Sequence, residues 1–325
     1  MSGKQTPPAA EGALLINKPQ GRTSHDVVDA ARRILGTRQI GHLGTLDPLA
    51  TGVLVLLIGR ATRLARFYGG RRKRYACAIR FGYATDTYDA DGEATGPDAA
   101  PLLTLAAIEP LLPEFLGRIS QMPPAFSAKK VRGIPAHELA RKKKPVELQP
   151  VEVEVYDFRI TGVAGAVVRC VIECAAGTYI RSLAHDLGAR YGSGAHLQEI
   201  VRTAVGEFTL DQCVTLDELD SAAHAGRLAD VMIPLERLLP ELPHAVILPV
   251  LERRVRHGAQ FTVPLSLIRP GEVTSAQGAT SELNSGGPPR PPLLRVFSQQ
   301  QKLIAIAEAI VPRTYQPVVV LDAAP

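Results

Sequence analysis

A chain of 325 residues, 46% of them hydrophobic and 21% charged, holds enough apolar material for a sizeable core and is long enough for two domains. Its formal net charge of +5 directs attention to acidic partners. The most apolar run, GVLVLLIG, is too short to cross a bilayer, the N-terminus has no long apolar core, and the 4 cysteines show neither CxxC nor a zinc-like Cys/His spacing. Helical membrane proteins, disulfide-framed secreted domains and zinc modules are thereby excluded, and a cytoplasmic location is expected. Cys77, Cys170, Cys174 and Cys213 read as reduced, small apolar residues.

In chain order, residues 1–11 read as a disordered lead. ALLIN follows as a buried strand, and TSHDVVDAARRILG as a helix capped by Thr23 or Ser24 and stopped at Gly36, with Val27, Val28, Ala31, Ile34 and Leu35 on one face. The helix delivers the chain to GHLGTLDPLATG, residues 41–52. There Gly41 and Gly44 tolerate backbone angles that other residues resist, Pro48 fixes its own φ, and Asp47 is pushed out of helical space by the proline after it. This is a built loop that presents one carboxylate; an ordinary Asp-Pro turn and a seat for chemistry both fit it. VLVLLI has the length of an interior strand, and RYACAIRFG alternates with Tyr75, Cys77, Ile79 and Phe81 on one face.

Farther on, VEVEVYDFRI and AVVRCVIECA flank the glycine-rich TGVAG and predict a hairpin in an antiparallel sheet. TYIRSLAHDLGARYG places Ile180, Leu183, Ala184 and Leu187 at helical spacing, with Tyr179 and Arg181 near the helix start and Arg181 off the apolar stripe. Thr215 and Glu218 form a capping box for TLDELDSAAHAG. Beyond about residue 245 the texture changes to short β-like pieces, LLRVFS, KLIAIAEAI and PVVVLD, interrupted by a Gly/Pro/Ser-rich segment near 268–291 that reads as a flexible insertion.

Positive charge is distributed unevenly. From Pro48 to Thr85 there is no Asp or Glu, yet the stretch holds Arg60, Arg63, Arg66, Arg71, Arg72, Lys73, Arg74 and Arg80. A second run contains Lys129, Lys130, Arg132, Lys142, Lys143 and Lys144. Clustered cations of this kind bind phosphates through counterion release, a solubilising surface being the plainer alternative. The RNA-backbone candidates are Arg71, Arg72, Lys73, Arg74, Lys129, Lys130 and Lys142 to Lys144. Tyr75, directly after RRKR, is placed either to stack an unpaired base or to fill the core.

GHLGTLDPLATG, then KRYACAIRFGYATDTYDADG at 73–92, MPPAFSAKKVRG at 122–133, and GTYIRSLAHDLG with GSGAH at 177–196 occur in that order. On these motifs the chain from about 12 to 240 resembles the TruB family of tRNA pseudouridine synthases, bacterial type. The resemblance implies an α+β fold: a pseudouridine synthase core over 12–243 with a central mixed, mainly antiparallel sheet, and a small β-rich PUA-like RNA-binding domain over 244–325. The implied reaction converts the uridine at position 55, in the T-loop of tRNA, to pseudouridine on a flipped-out base, by a monomer with no cofactor and no metal.

Residue by residue, Asp47 falls on the family's catalytic aspartate. Arg181 matches the arginine that pairs with it, Tyr75 the tyrosine that stacks on the target base, and Tyr179 a second active-site tyrosine. His42 matches a loop histidine that fills the place of the everted nucleotide. Ile200 matches an apolar pocket wall, and of the two arginines that usually follow, only Arg202 is kept. The alternatives are a guide-RNA-dependent relative and a non-catalytic RNA chaperone acting on the tRNA elbow. An aspartate glycosidase needs two carboxylates flanking the bond, and the loop offers one. Asp86, Asp89 and Asp91 in TDTYDADGE resemble a calcium-type acidic loop but lack its terminal glutamate.

Overall fold

The computed structural model describes residues 11–99, 101–126, 130–131, 134–135, 148–272 and 291–322. Strand β1 (Gly12–Lys18) turns Leu14 and Ile16 to one side of a sheet and Ala13 and Leu15 to the other, and all four are buried. β3 (Thr51–Ile58) does the same, with Leu54, Leu56 and Ile58 against Val53, Val55 and Leu57. A strand covered on both faces has no polar side to show, which is why this stretch is an unbroken apolar run.

The other strands of the sheet are β2 (Ile40–His42), β4 (Lys73–Phe81), β5 (Gly117–Gln121), β6 (Val151–Ala164), β7 (Val167–Cys174), β8 (Ala195–Val205), β9 (Phe208–Thr209) and β10 (Met232–Pro234). Their order is β10-β1-β3-β8-β4-β7-β6-β5, with β2 beside β3 and β9 beside β8. The ladders are antiparallel except between β3 and β8, which run parallel with Gly52 opposite Arg202. The predicted hairpin is β6–β7, bent by two register shifts. HLQEIVRT, to which no element was assigned from sequence, is the middle of β8. Irregularities at Leu197/Glu199 and Arg202/Ala204 break the period of two by which a strand is read.

On the first face, Leu14, Leu54, Cys77, Ile79 and Phe81 pack beneath α1 (Ser24–Leu35) and α2 (Ile180–Tyr191). Thr23 caps α1 in a reciprocal box with Asp26, and Gly36 ends it at φ 64°. Thr215 caps α3 (Leu216–His224) in a box with Glu218, as its spacing predicts. Cys77, Cys170 and Cys174 are buried free thiols, and Cys213 is partly exposed.

The second face, with Leu15, Val53, Val55 and Leu57, packs against Phe297, Leu303, Ile306 and Val319. These belong to a six-stranded sheet of β11 (His244–Val246), β12 (Phe261–Thr262), β13 (Ile268–Arg269), β14 (Leu293–Phe297), β15 (Leu303–Val311) and β16 (Thr314–Val320), ordered β12-β16-β15-β14-β11-β13. The expected α+β core with a small C-terminal β unit is therefore present, and the two share apolar surface. Residues 273–290 of the predicted insertion lie outside the described residues. No helix among the described residues is long and apolar enough to cross a membrane.

Candidate active site

The loop between β2 and β3 is tied down on every side. Leu43, Leu46 and Leu49 are buried beneath it. Ser24 Oγ accepts from the Leu46 amide (2.8 Å) and donates to its carbonyl (3.1 Å), joining the loop to the first turn of α1. The Gly21 amide donates to Pro48 O (2.8 Å). Lys18, fully buried at the end of β1, donates through Nζ to Arg22 O (2.6 Å), Pro19 O (2.9 Å) and Pro48 O (3.4 Å). Burial pushes the Lys18 amine down to about 8, against the attraction of nearby Asp47. Gly44 takes φ +91°, and a Cβ there would stand 2.8 Å from Lys73 Nζ.

These ties leave the Asp47 side chain 48% exposed while one oxygen is fixed: Asp47 Oδ2 lies 3.0 Å from Arg181 Nε. The Arg181 side chain is only 8% exposed and uses its whole fork. Nη1 reaches Asp89 Oδ2 (3.2 Å) and Thr87 O (3.0 Å), and Nη2 donates to Phe126 O (2.8 Å). Arg181 lies off the apolar stripe, as predicted, yet it is buried. It sits in the first turn of α2, where two carboxylates and two carbonyls replace the water it gave up.

Asp89 is the functional candidate that sequence reasoning missed, having grouped it with an acidic loop. Its side chain is 6% exposed, and Oδ1 accepts from Thr87 Oγ1 (2.6 Å) and the Asp91 amide (3.1 Å). One buried carboxylate thus compensates the guanidinium, and the second carboxylate, on Asp47, faces outward. Asp91, close by, has its carboxyl pushed up by burial and by Asp89. The sequence did contain a signal: TDTYDADG packs a Thr-Asp turn and three carboxylates into a segment with no apolar face to bury.

The other candidates surround this pair. Tyr179 is the N-cap of α2, its amide donating to Gln121 Oε1 (2.8 Å) and its carbonyl accepting from Gln121 Nε2 (2.9 Å). Tyr75 is buried on β4 with its hydroxyl against the Arg202 guanidinium, and burial pushes its phenol up to about 12. Ile200 is buried in the same cluster as Tyr75. His42 ends β2, and burial and Arg202 push its imidazole below the ordinary value.

The basic block divides in two. Arg71 is paired with Glu241 and lies near Glu207, while Arg60 binds Glu11 and Asp322; both are used inside the protein. Arg72 and Arg74 share Glu173 (3.2 and 2.8 Å), and the Arg72 guanidinium covers the Tyr156 ring at 3.8 Å. Lys73 differs. It is mostly buried, pushed down to about 8 by that burial and by Arg202, and no carboxylate among the described residues pairs with it. The partners Glu173, Glu207 and Glu241 lie far away in sequence, so the block reads as unopposed until the chain is folded. Lys129, Lys142, Lys143 and Lys144 lie outside the described residues, as does the side chain of Lys130.

Comparisons with known proteins identify the family of the chain. A family pattern described as "TruB family pseudouridylate synthase (N terminal domain)" matches residues 32–180, and one described as "tRNA pseudouridylate synthase B C-terminal domain" matches 181–240. The chain is 43% identical over 311 residues to "tRNA pseudouridine synthase B" of Solibacter usitatus, covering 96% of this chain and 100% of that one. It is 37% identical to the protein of that name from Geobacter sulfurreducens, covering 89% and 100%. Among solved structures it is similar to an H/ACA RNP bound to a substrate RNA containing 2'-deoxyuridine, with a TM-score of 0.67, 25% identity and coverage of 92% and 78%. An archaeal box H/ACA sRNP Nop10-Cbf5 complex gives 0.68 and 25%, with coverage of 97% and 87%. Two family patterns that together span residues 32–240, and relatives 37–43% identical over nearly their whole length, settle the family: the chain belongs to the TruB family of pseudouridylate synthases and is an isomerase.

Proposed function

We propose that this chain, acting alone as a monomer in the cytoplasm, isomerises the T-loop uridine at position 55 of tRNA to pseudouridine, with Asp47 as the catalytic carboxylate. One observation carries the reading. Asp47 is half-exposed on a rigid loop, with one oxygen held by a buried guanidinium that Asp89 already compensates. That places an oriented anion where a nucleoside can reach it.

The reaction breaks the N1–C1′ bond, turns the uracil and joins C5 to C1′; the C5 proton leaves and N1 gains one. Nothing is oxidised or reduced. An ionised carboxylate suits addition to the base, attack on the sugar and proton abstraction alike. The target must leave its stack to be reached. Ile200 and Tyr75 supply an apolar wall and a ring for it, and Tyr179 a second ring beside Arg181. The β-rich C-terminal unit and the lysine runs hold the RNA backbone.

The test is a T-arm stem-loop carrying 5-tritiated uridine, incubated with the protein and no guide RNA. Tritium release matching the target uridine supports the reading. Tight binding without release favours the chaperone, and release only when guide RNA and partner proteins are added favours the guided relative.

Two binding predictions accompany it. Replacing Lys142, Lys143 and Lys144 with Ala should weaken stem-loop binding and shallow the slope of log K against log salt by about one unit per lost phosphate contact; filter binding from 50 to 300 mM salt checks this. Lys73, with its amine pushed down to about 8, loses its charge as pH rises through that value. If the charged form binds phosphate, affinity at pH 9 should be about tenfold below that at pH 7, the ratio of the charged fractions. Lys73→Arg should flatten that dependence, because a guanidinium stays charged throughout.

A further inference from the structure

Arg202 is among the largest fully buried side chains of the protein, at 0% exposure. The family resemblance places it after the apolar wall residue, where an arginine would be expected to touch RNA. The geometry leaves no path for a phosphate to reach it. Its fork is directed inward, to three main-chain carbonyls on either side of Asp47: Nε to Val53 O (2.8 Å), Nη2 to Gly44 O (3.1 Å) and Nη1 to Thr45 O (3.3 Å). Gly44 and Thr45 precede Asp47, and Val53 follows it in β3.

Three further features converge on the same residue. Gly52 pairs with Arg202 across the parallel β3–β8 ladder, and a Cβ at Gly52 would stand 2.3 Å from Arg202 O, so the backbones meet too closely for any side chain there. Tyr75 lies opposite Arg202 on β4, with its hydroxyl against the guanidinium. Arg202 has no carboxylate partner among the described residues. Its charge is held by carbonyl dipoles, an arrangement that is costly unless geometry is the return.

We propose that Arg202 is a positioning residue for the reaction: its buried guanidinium staples the two shoulders of the Asp47 loop to β8 and sets the loop in register with Tyr75. The inference rests on the reading of Asp47 and Tyr75 given above. The planar fork matters as much as the charge, because an ammonium on a shorter reach can serve one or two of the three carbonyls and cannot hold all of them coplanar. A displacement of Asp47 by about 1 Å is enough to cost on the order of 100-fold in rate.

Arg202→Lys and Arg202→Gln test this, with three readouts. Hydrogen exchange of the RNA-free protein should show faster exchange confined to peptides covering 43–53 and 73–77. Single-turnover conversion of the T-arm stem-loop should show a plateau rate about 100-fold lower, with the half-saturating concentration changed less than threefold. Urea unfolding supplies the folded fraction by which each rate is corrected. A plateau rate within threefold of the parent overturns the proposal, as does weakened RNA binding with the plateau kept, which would make Arg202 an RNA contact. Failure of both variants to fold even at 10 °C also overturns it, making Arg202 a folding residue. Should the parent protein form no pseudouridine, the functional reading fails by itself, and the exchange experiment still decides whether Arg202 holds the loop.

Discussion

Asp47→Asn is expected to lower single-turnover pseudouridine formation by about four powers of ten, equivalent to ~5.5 kcal/mol of transition-state stabilisation. The amide keeps the shape of the side chain and one acceptor oxygen, so the contact with Arg181 Nε persists, but it cannot serve as nucleophile or base. Stability should change by no more than about 1 kcal/mol, because Asp47 is half-exposed and Arg181 retains Asp89, Thr87 O and Phe126 O. The dissociation constant of a T-arm stem-loop should stay within a fewfold of the parent value, since a carboxylate supplies no attraction for phosphate. Filter binding and single-turnover assays on the same preparation separate the two effects. A loss of binding as large as the loss of rate would make Asp47 a docking residue.

Arg181→Leu should have the largest effect on stability and rate together. It removes the only cation that is bonded to Asp89 among the described residues, leaves that carboxylate at 6% side-chain exposure, and strips donors from Thr87 O and Phe126 O. Breaking a buried pair by deleting one partner costs about 3–5 kcal/mol. Asp47 also loses the group that orients it, so the rate should fall by at least about 1000-fold beyond the folded-fraction correction. Arg181→Lys should recover part of the stability and little of the rate, since an ammonium cannot span two carboxylates and two carbonyls. The double variant Arg181→Leu/Asp89→Leu distinguishes the two roles. Removing both charges should restore most of the urea midpoint, and activity should stay lost. Recovery of activity in the double variant would show that Arg181 serves only to neutralise Asp89.

Much of this arrangement could be read in the sequence, because it rests on local rules. The caps at Thr23, Gly36 and Thr215, the alternation of Tyr75, Cys77, Ile79 and Phe81, and the glycine-flanked Asp47 loop are each set by neighbours within a few positions. The residues that escaped are those whose meaning depends on distant partners. Asp89 shows no spacing that points to Arg181, 92 positions away. Lys18 and Arg202 are charged residues at full burial, which no pattern of polarity predicts: carbonyls of the turn after β1, with Pro48 O, receive Lys18, and carbonyls on both sides of Asp47 receive Arg202. Arg71 read as a free cation until Glu241 and Glu207 folded against it. Strand β8 was hidden by its own bulges, the irregularities that aim Ile200 and Arg202 where they lie.

The central claim, a standalone T-loop uridine isomerase that works through Asp47, is tested most directly by mapping pseudouridine at single-nucleotide resolution across a full-length unmodified tRNA transcript. The transcript is incubated with purified protein alone, wild type and Asp47→Asn in parallel. The account predicts one modified position, uridine 55, converted to near completion by the wild type and not detectably by the variant in the same time. Conversion at a different uridine, conversion only in the presence of guide RNA, or equal conversion by both proteins would contradict it.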